Sequence, residues 1–501
     1  MTADSAATEP RAATETPLVR ALGPIDAAMI VVGSMIGSGI FITSAESARL
    51  VGSPGWLLAA WALAGVLTIT GALCCAELSA MMPQAGGQYV FLREAFGPPV
   101  AFLFGWSLLL VVQTGTIAAV AVAFAKFLGV FLPGVAADRF LLGPVALAPG
   151  YALSLSTQQL VAIGVIAVLT LVNTRGLETG KRIQNLFTFA KTGALLGLIV
   201  LGLGVGIRRD AAAWTSSWWN PVANGWDAAA VEPKLAGVGT ALALVLLLGK
   251  AMIGPLFSQT AWNNVTFTGG EVRDPARNIP RALILGCSMV VVLYLLANLA
   301  YVLTLSLAEI QHADQDRVGT AAMARIVGPM GVGLMAALIL ISTFGCVNGL
   351  VLAGARVSYA MARDGLFFAR AGRVNARRVP ATAMLVQGLW AALLTLPLTV
   401  ASDGTYGNVY SQLLEYIVPA DLAFYALMVA AVIVLRIRRP DAARPFRTPL
   451  YPLPALIYLV LSILLIADLV VLTPQTCGIG ALIVLAGLPI YLIWSRSTGR
   501  R

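Results

Sequence analysis

About twelve stretches of this chain, each roughly 20 residues long and nearly free of charge, constrain its fold more than any other feature. A helix of that length crosses a hydrocarbon core about 30 Å thick while pairing its own backbone N–H and C=O groups, which lipid cannot do. The runs lie near residues 25–50, 55–82, 98–132, 156–174, 182–207, 237–268, 281–307, 330–362, 381–400, 411–437, 451–473 and 476–494. A membrane β-barrel would show short segments that alternate polar and apolar residues, and runs such as ALALVLLLG and LIVLGLGVGI do not alternate. Composition agrees, because 58% of the 501 residues are hydrophobic and only 11% are charged, too few to coat a soluble globule of this size. The expectation is an all-α integral membrane protein with twelve transmembrane helices and no strands.

Twelve crossings put both termini on one side, and the basic residues of the loops say which. One side gathers 22 Lys and Arg, including Arg436, Arg438, Arg439, Arg444 and Arg447, and the other side 7. Both termini are therefore expected in the cytoplasm, in a plasma or bacterial inner membrane. The net charge of +10 follows from this asymmetry. Basic loops facing anionic membrane lipid account for it, and no nucleic-acid partner is needed. Residues 1–22, beginning MTADSAATEPRAATETPLVR, read as a disordered cytosolic tail, since no apolar core of a signal peptide precedes a cleavage site.

Some chemistry is missing. The single histidine, His312, falls in an expected exterior loop, which argues against a His-ligated metal or a Ser-His hydrolase. No phosphate-binding loop or dinucleotide fingerprint occurs in a suitable context, so no cofactor, no metal and no enzymatic activity are expected. Cys74, Cys75, Cys287, Cys346 and Cys477 lie inside or at the ends of apolar runs, so no disulfide-linked subunit is expected.

Within the first run, GSMIGSGIF (Gly33–Phe41) packs glycines and serines where the membrane is driest. Gly33 and Gly37 are spaced for close helix packing. The alternative is a break in the helix, which hydrocarbon tolerates only where protein or a ligand satisfies the freed backbone groups. Half-helix ends would then offer N–H groups to an anion and carbonyls to a cation, a pairing suited to a zwitterion. The sixth run is interrupted in the same way, by Gly254–Pro255 and by the polar run Ser258, Gln259, Thr260, Asn263 and Asn264. Two interruptions five helices apart suggest inverted repeats over 23–207 and 237–437, joined by an exterior loop at 208–236. Helices eleven and twelve and a cytosolic C-terminus follow over 438–501.

GSMIGSGIF, CAELSAMMPQAGGQYVFLREAFGP (Cys75–Pro98), AWNNVTFTGGEVRDPARNIPRALI (Ala261–Ile284), STFGCVNGLVLAGARVSYAMARDGLF (Ser342–Phe367) and RPFRTPLYPLPAL (Arg444–Leu456) together resemble the amino acid/polyamine/organocation transporters, in particular the L-type amino-acid branch and its bacterial relatives. The resemblance implies a LeuT-like five-plus-five inverted repeat with helices one and six broken, two appended helices, and alternating access. It implies that Gly37, Ser38 and Gly39 present N–H groups to a substrate carboxylate. Carbonyls near Met35 and Ile36, and near Phe257, Ser258 and Thr260, would take the ammonium, and Phe257 would close the pocket from outside. Where relatives carry an aromatic and small residues after that Phe, this chain has Ser258, Gln259, Thr260 and Ala261. Thr260 would narrow the pocket toward a small or polar substrate.

Lys191 lies deep in the fifth run. It either snorkels to the interface or acts as an ammonium that replaces a coupling sodium ion. The resemblance implies Ser342 as its partner, and an ammonium taken out of water at that depth could lose a proton during the cycle. Arg356 and Asp364 are expected to lock the cytosolic end of helix eight, Glu77 and Asp421 to be structural, and Lys126 and Lys250 to be interfacial. With no carboxylate read near either break, a small or neutral L-amino acid is expected rather than arginine or a polyamine, carried by exchange or with protons. A carrier of amines or other amino-acid derivatives is the alternative within the family. A non-transporting amino-acid sensor or channel is the alternative outside it.

Overall fold

A computed structural model describes residues 20–148, 150–206, 217–400 and 406–497. Most of the expected N-terminal tail, the start of the exterior loop at 208–216 and the C-terminal residues 498–501 lie outside the described residues. Ten helices are long and apolar enough to cross a membrane: Pro24–Ile42, Pro54–Met81, Pro98–Leu128, Arg182–Gly206, Thr240–Ser258, Pro275–Thr304, Pro329–Arg363, Val409–Arg438, Leu453–Leu472 and Pro474–Ser495. The fourth and ninth expected spans are shorter helices, Thr157–Asn173 and Ala381–Leu393, of 17 and 13 residues. At 1.5 Å per residue they are about 26 and 20 Å long, against a hydrocarbon core of about 30 Å. Helices are numbered below in this chain order, so Arg182–Gly206 is the fifth, Thr240–Ser258 the sixth, Pro329–Arg363 the eighth and Val409–Arg438 the tenth.

The strand-free expectation is corrected by a small antiparallel sheet, in which Phe140–Ala148 pairs with Tyr151–Ser156 and the latter with Pro397–Thr399. Gly143–Pro144 and Pro149–Gly150 break any helix in this stretch. In Tyr151–Ser156, moreover, buried Ala152, Ser154 and Ser156 alternate with more exposed neighbours, the two-residue period of a strand.

Burial is graded from the centre outward. The first helix is 78% buried, and the fifth, seventh and eighth all pack against it. The twelfth is 11% buried and, with the eleventh, turns Leu456, Val460, Ile463, Leu464, Leu482 and Leu485 outward. An apolar skin around a polar-containing centre is the arrangement that lipid favours. The shell of long helices thus places the first and sixth at the middle of the molecule, where their interruptions are shielded from lipid.

Candidate functional site

Both interruptions are real breaks. The first helix runs Pro24–Met35, leaves helical geometry at Ile36 (φ −74°, ψ 91°), and resumes as Gly39–Ile42 and Ser44–Val51. The sixth runs Thr240–Ala251 and Ile253–Ser258, then opens through Gln259–Asn263 before a turn at Asn264–Phe267. Ala261 sits in that opening with φ +64°, a left-handed backbone that an alanine adopts only at a cost.

The freed backbone groups of the first break are taken up by neighbouring helices. Tyr294 Oη donates to the Met35 carbonyl at 2.9 Å. Lys191 Nζ donates to the Gly33 and Ile36 carbonyls, the second at 2.6 Å. Ser342 Oγ reaches the Ile36 and Gly37 carbonyls, both at 3.3 Å, and Cys346 Sγ reaches the Ser34 carbonyl at 3.3 Å. Five successive carbonyls, from Gly33 to Gly37, thus have side-chain donors from the fifth, seventh and eighth helices. The fully buried Lys191 does not snorkel, and Ser342 stands beside it on the shared Ile36 carbonyl. The close-packing reading of Gly33 also holds, since a Cβ there would overlap Gln184 and Thr188 of the fifth helix.

Four successive amides of this break, those of Gly37, Ser38, Gly39 and Ile40, pair with no acceptor among the described residues. Ser38 is fully buried, and a Cβ on Gly39 would overlap Ser258, so the two breaks touch. Ser258 Oγ donates to the Gly254 carbonyl at 2.7 Å and lies 3.4 Å from Thr43 Oγ1. Ser38 Oγ lies 3.2 Å from Tyr410 Oη, and the Tyr410 ring meets Phe257 edge to face at 5.9 Å. Met35, Ile36, Gly37, Ser38, Gly39, Phe257, Ser258, Lys191 and Ser342 therefore form one cluster. Thr260 lies one turn further along, its hydroxyl donating to the Phe257 carbonyl at 2.9 Å.

The polar run of the sixth break is held from the second and tenth helices and from Gln88. Gln259 Nε2 donates to the Trp61 carbonyl at 3.2 Å, Asn263 Nδ2 to Gln88 Oε1 at 2.8 Å, and Tyr425 Oη to Asn263 Oδ1 at 2.9 Å. Sequence reasoning missed Tyr294, Tyr410 and Cys346. The signal for Tyr294 was present, a hydroxyl inside the apolar run VVVLYLLANL, since a buried hydroxyl needs a partner.

The cluster is closed on both sides, between two wider cavities. A cavity of about 640 Å3 is lined by Glu46, Arg49, Lys250, Asp316, Ser411 and Glu415. Another of about 450 Å3 lies at the opposite end, lined by Arg20, Arg93, Tyr359, Arg363 and Asp364. Beside the second cavity, Arg356 forms a two-pronged pair with Glu271 (3.2 and 3.0 Å), both side chains almost wholly buried. Asp364 pairs instead with Arg93 and accepts from Tyr89 at 2.8 Å. Nearby, outside the spans, burial would raise the Glu94 carboxyl, but Arg439 and Arg93 outweigh it and hold the group below its ordinary range.

The readings of the remaining charges divide. Glu77 is structural, its carboxylate bound by Arg436 at 2.8 and 2.7 Å and by the Thr448 amide at 2.7 Å. Lys250 pairs with Glu232 at 2.8 Å. Lys126, in the last turn of the third helix, is 6% exposed and lines a cavity with Asp138, Gln158 and Gln159. Asp421 was not expected near a break, yet it shares a small cavity with Gln259 and Thr260. Helical winding brings the tenth helix over the sixth, a juxtaposition that run lengths do not reveal. Cys74, Cys75, Cys287 and Cys346 are buried free thiols, and Cys477 is half-buried. Among the described residues no group of three His, Cys, Asp or Glu could hold a metal ion.

Known proteins share this pattern over nearly the whole chain. The amino acid permease family profile matches residues 22–490. The large neutral amino acids transporter small subunit 2 of Mus musculus is 31% identical over 482 residues, covering 95% of this chain and 81% of that protein. Its Homo sapiens counterpart is 31% identical, covering 95% and 80%. The b(0,+)-type amino acid transporter 1 of Mus musculus is 27% identical over 481 residues, covering 96% and 88%. With a family match spanning both breaks and the helices that hold them, the chain belongs to the amino acid permease family, membrane transporters rather than enzymes.

Proposed function

We propose that the protein carries a neutral L-amino acid through its centre by alternating access, gripping the zwitterion between the two breaks. The observation that carries this reading is that the Ser38 and Gly39 amides, with those of Gly37 and Ile40 on either side, have no acceptor among the described residues, in a buried cluster whose carbonyls from Gly33 to Gly37 are all taken. Two adjacent N–H groups at the start of a resumed helix suit a carboxylate. The carbonyls of Met35 and Ile36 already accept from Tyr294, Lys191 and Ser342, so an incoming ammonium would use their second lone pairs or the carbonyls at Ser258 and Thr260. The names of the relatives support an amino-acid substrate, and large neutral side chains are among those they carry.

The twelve-helix, LeuT-like five-plus-five arrangement is part of the same reading, supported by breaks five helices apart. Both termini would face the cytoplasm, supported by the loop charges. Phe257 and Tyr410 would form the outer gate, because Asn408 and Ser411, flanking Tyr410, line the 640 Å3 cavity. Lys191 would couple the cycle to protons or stand in for a sodium ion, with exchange as the other mode. One of the relatives is named as a small subunit, so a companion chain belongs to that protein. Here the burial of four of the five thiols supports a carrier without a disulfide-linked subunit; a single band at the chain's own mass on non-reducing gels of native membranes checks it.

Counterflow in proteoliposomes tests the whole reading. Preloaded unlabelled amino acid should drive saturable uptake of label, and Gly39→Leu or Ser38→Pro should abolish amino-acid binding in protein that still folds. Retained affinity in either variant defeats the carboxylate site. Binding without flux in the parent protein identifies a sensor.

A further inference from the structure

Asp421 is a buried carboxylate, 5% exposed, that forms no hydrogen bond or ion pair among the described residues. It sits on the tenth helix two residues after Pro419 and faces a cavity of about 20 Å3, room for one group the size of water. Thr68, Gln259, Thr260, Tyr425 and Tyr458 share the cavity, and no Lys, Arg or His does. Gln259 supplies a second orphan, since its buried Oε1 has no donor.

Three of the four lining hydroxyls are committed elsewhere, and the fourth is that of Tyr458. Thr68 donates to the Gln259 carbonyl at 3.4 Å, Thr260 to the Phe257 carbonyl, and Tyr425 to Asn263. What remains is a carboxyl, the Tyr458 hydroxyl, an amide acceptor and aromatic faces, among them the Trp262–Tyr425 stack at 4.8 Å. A buried carboxylate with no partner is costly, so the group either keeps its proton or is held for a cation. Carboxylate, carbonyl and aromatic faces around a water-sized space match an ammonium in charge, donors, size and cation–π attraction.

We propose that this cavity is an ammonium subsite anchored by Asp421, and that it takes the side-chain amine of a diamino acid whose α-groups occupy the breaks. The inference rests on the zwitterion reading above and widens its substrate range beyond neutral side chains. Thr260 and Gln259 link the two, for they belong to the sixth break and to the cavity wall alike. A free monovalent cation has the same chemistry and is the other source the experiment must separate.

In proteoliposomes of the full chain, L-lysine, L-ornithine and uncharged norleucine compete with labelled L-leucine, in sodium and in choline buffer. Lysine or ornithine should compete at least as well as norleucine in both buffers. Asp421→Asn should lower the lysine-to-norleucine ratio at least about tenfold, as expected when a buried charge pair loses one member. An unchanged ratio in Asp421→Asn overturns the proposal. So does a parent protein on which norleucine competes and neither diamino acid does, an outcome that needs no variant and leaves the zwitterion reading standing. Sodium-dependent leucine uptake abolished by Asp421→Asn, with lysine inert, gives the cavity to a free cation and overturns the diamino-acid assignment. If leucine itself is neither bound nor carried, the zwitterion reading fails first.

Discussion

Lys191 shows how one side chain can hold a broken helix together. Its ammonium has three donors and meets two carbonyls, of Gly33 and Ile36, with no carboxylate among its partners. Replacing it with alanine strands the Gly33 carbonyl in a dry interior, at roughly 1–3 kcal/mol, and leaves the Ile36 carbonyl to Ser342 alone. Lys191→Ala should therefore melt earlier in the absence of substrate and slow initial uptake at least about tenfold. If this ammonium also carries the coupling proton, the pH dependence of uptake should flatten in the same variant. A Lys191→Ala profile that still follows the parent's removes it from coupling. Ala261 carries the opposite kind of cost. Its φ of +64° is natural for glycine and strained for a residue with a Cβ, so Ala261→Gly should raise the melting free energy by about 1 kcal/mol. A lower melting temperature would show that the backbone there is not strained.

At the scale of elements, the two breaks were legible because glycine, proline and short polar residues are poor choices for a helix in hydrocarbon. Their match five helices apart made the point stronger than either alone. What holds the breaks open was not legible. Tyr294 looks like one more apolar-run residue until the seventh helix is seen beside the first, its hydroxyl holding the Met35 carbonyl of the unwound turn. Asp421 was read as structural because sequence gives no distance from the tenth helix to the sixth. The small sheet was missed because its apolar residues resemble weak helix until its Pro and Gly are taken as breakers. Spans of 17 and 13 residues were called membrane helices on hydropathy alone, and the ninth stops early where the chain turns into Pro397–Thr399. Since Tyr294 and Ser342 approach the same unwound turn from different helices, their losses should couple. Tyr294→Phe and Ser342→Ala should each cost about 1–2 kcal/mol, and the double variant should differ from their sum by at least about 0.5 kcal/mol. Strict additivity in thermal melts would mean that the turn does not respond as a unit.

For the molecule as a whole, alternating access requires that the closure at each end be worth only a few kcal/mol, or neither end would open. The end with the 640 Å3 cavity is closed above Ser38 by the Phe257–Tyr410 contact, an aromatic pair of about 0.5–1.5 kcal/mol beyond its burial. The other end is fastened by charge, through Arg356–Glu271 and Arg93–Asp364. These two ties differ in kind. Arg356 and Glu271 are 0% and 1% exposed, so removing one partner leaves an uncompensated buried charge and costs roughly 3–5 kcal/mol. Arg93 and Asp364 are each about a quarter exposed, 26% and 27%, and water screens them, so their loss costs about 1 kcal/mol or less. Glu271→Gln should then lower thermal stability strongly and impair both binding and transport. Asp364→Asn should leave the fold nearly intact while shifting the equilibrium toward the form open at its own end. A cysteine placed at Ala360, which lines the 450 Å3 cavity, reads that shift in a background lacking the native thiols. Its labelling by a membrane-impermeant maleimide in inside-out vesicles should accelerate several-fold in Asp364→Asn, and saturating substrate should slow it again. Equal labelling rates with and without the substitution would mean that Arg93–Asp364 is an ornament of the surface and that the buried pair alone closes this end.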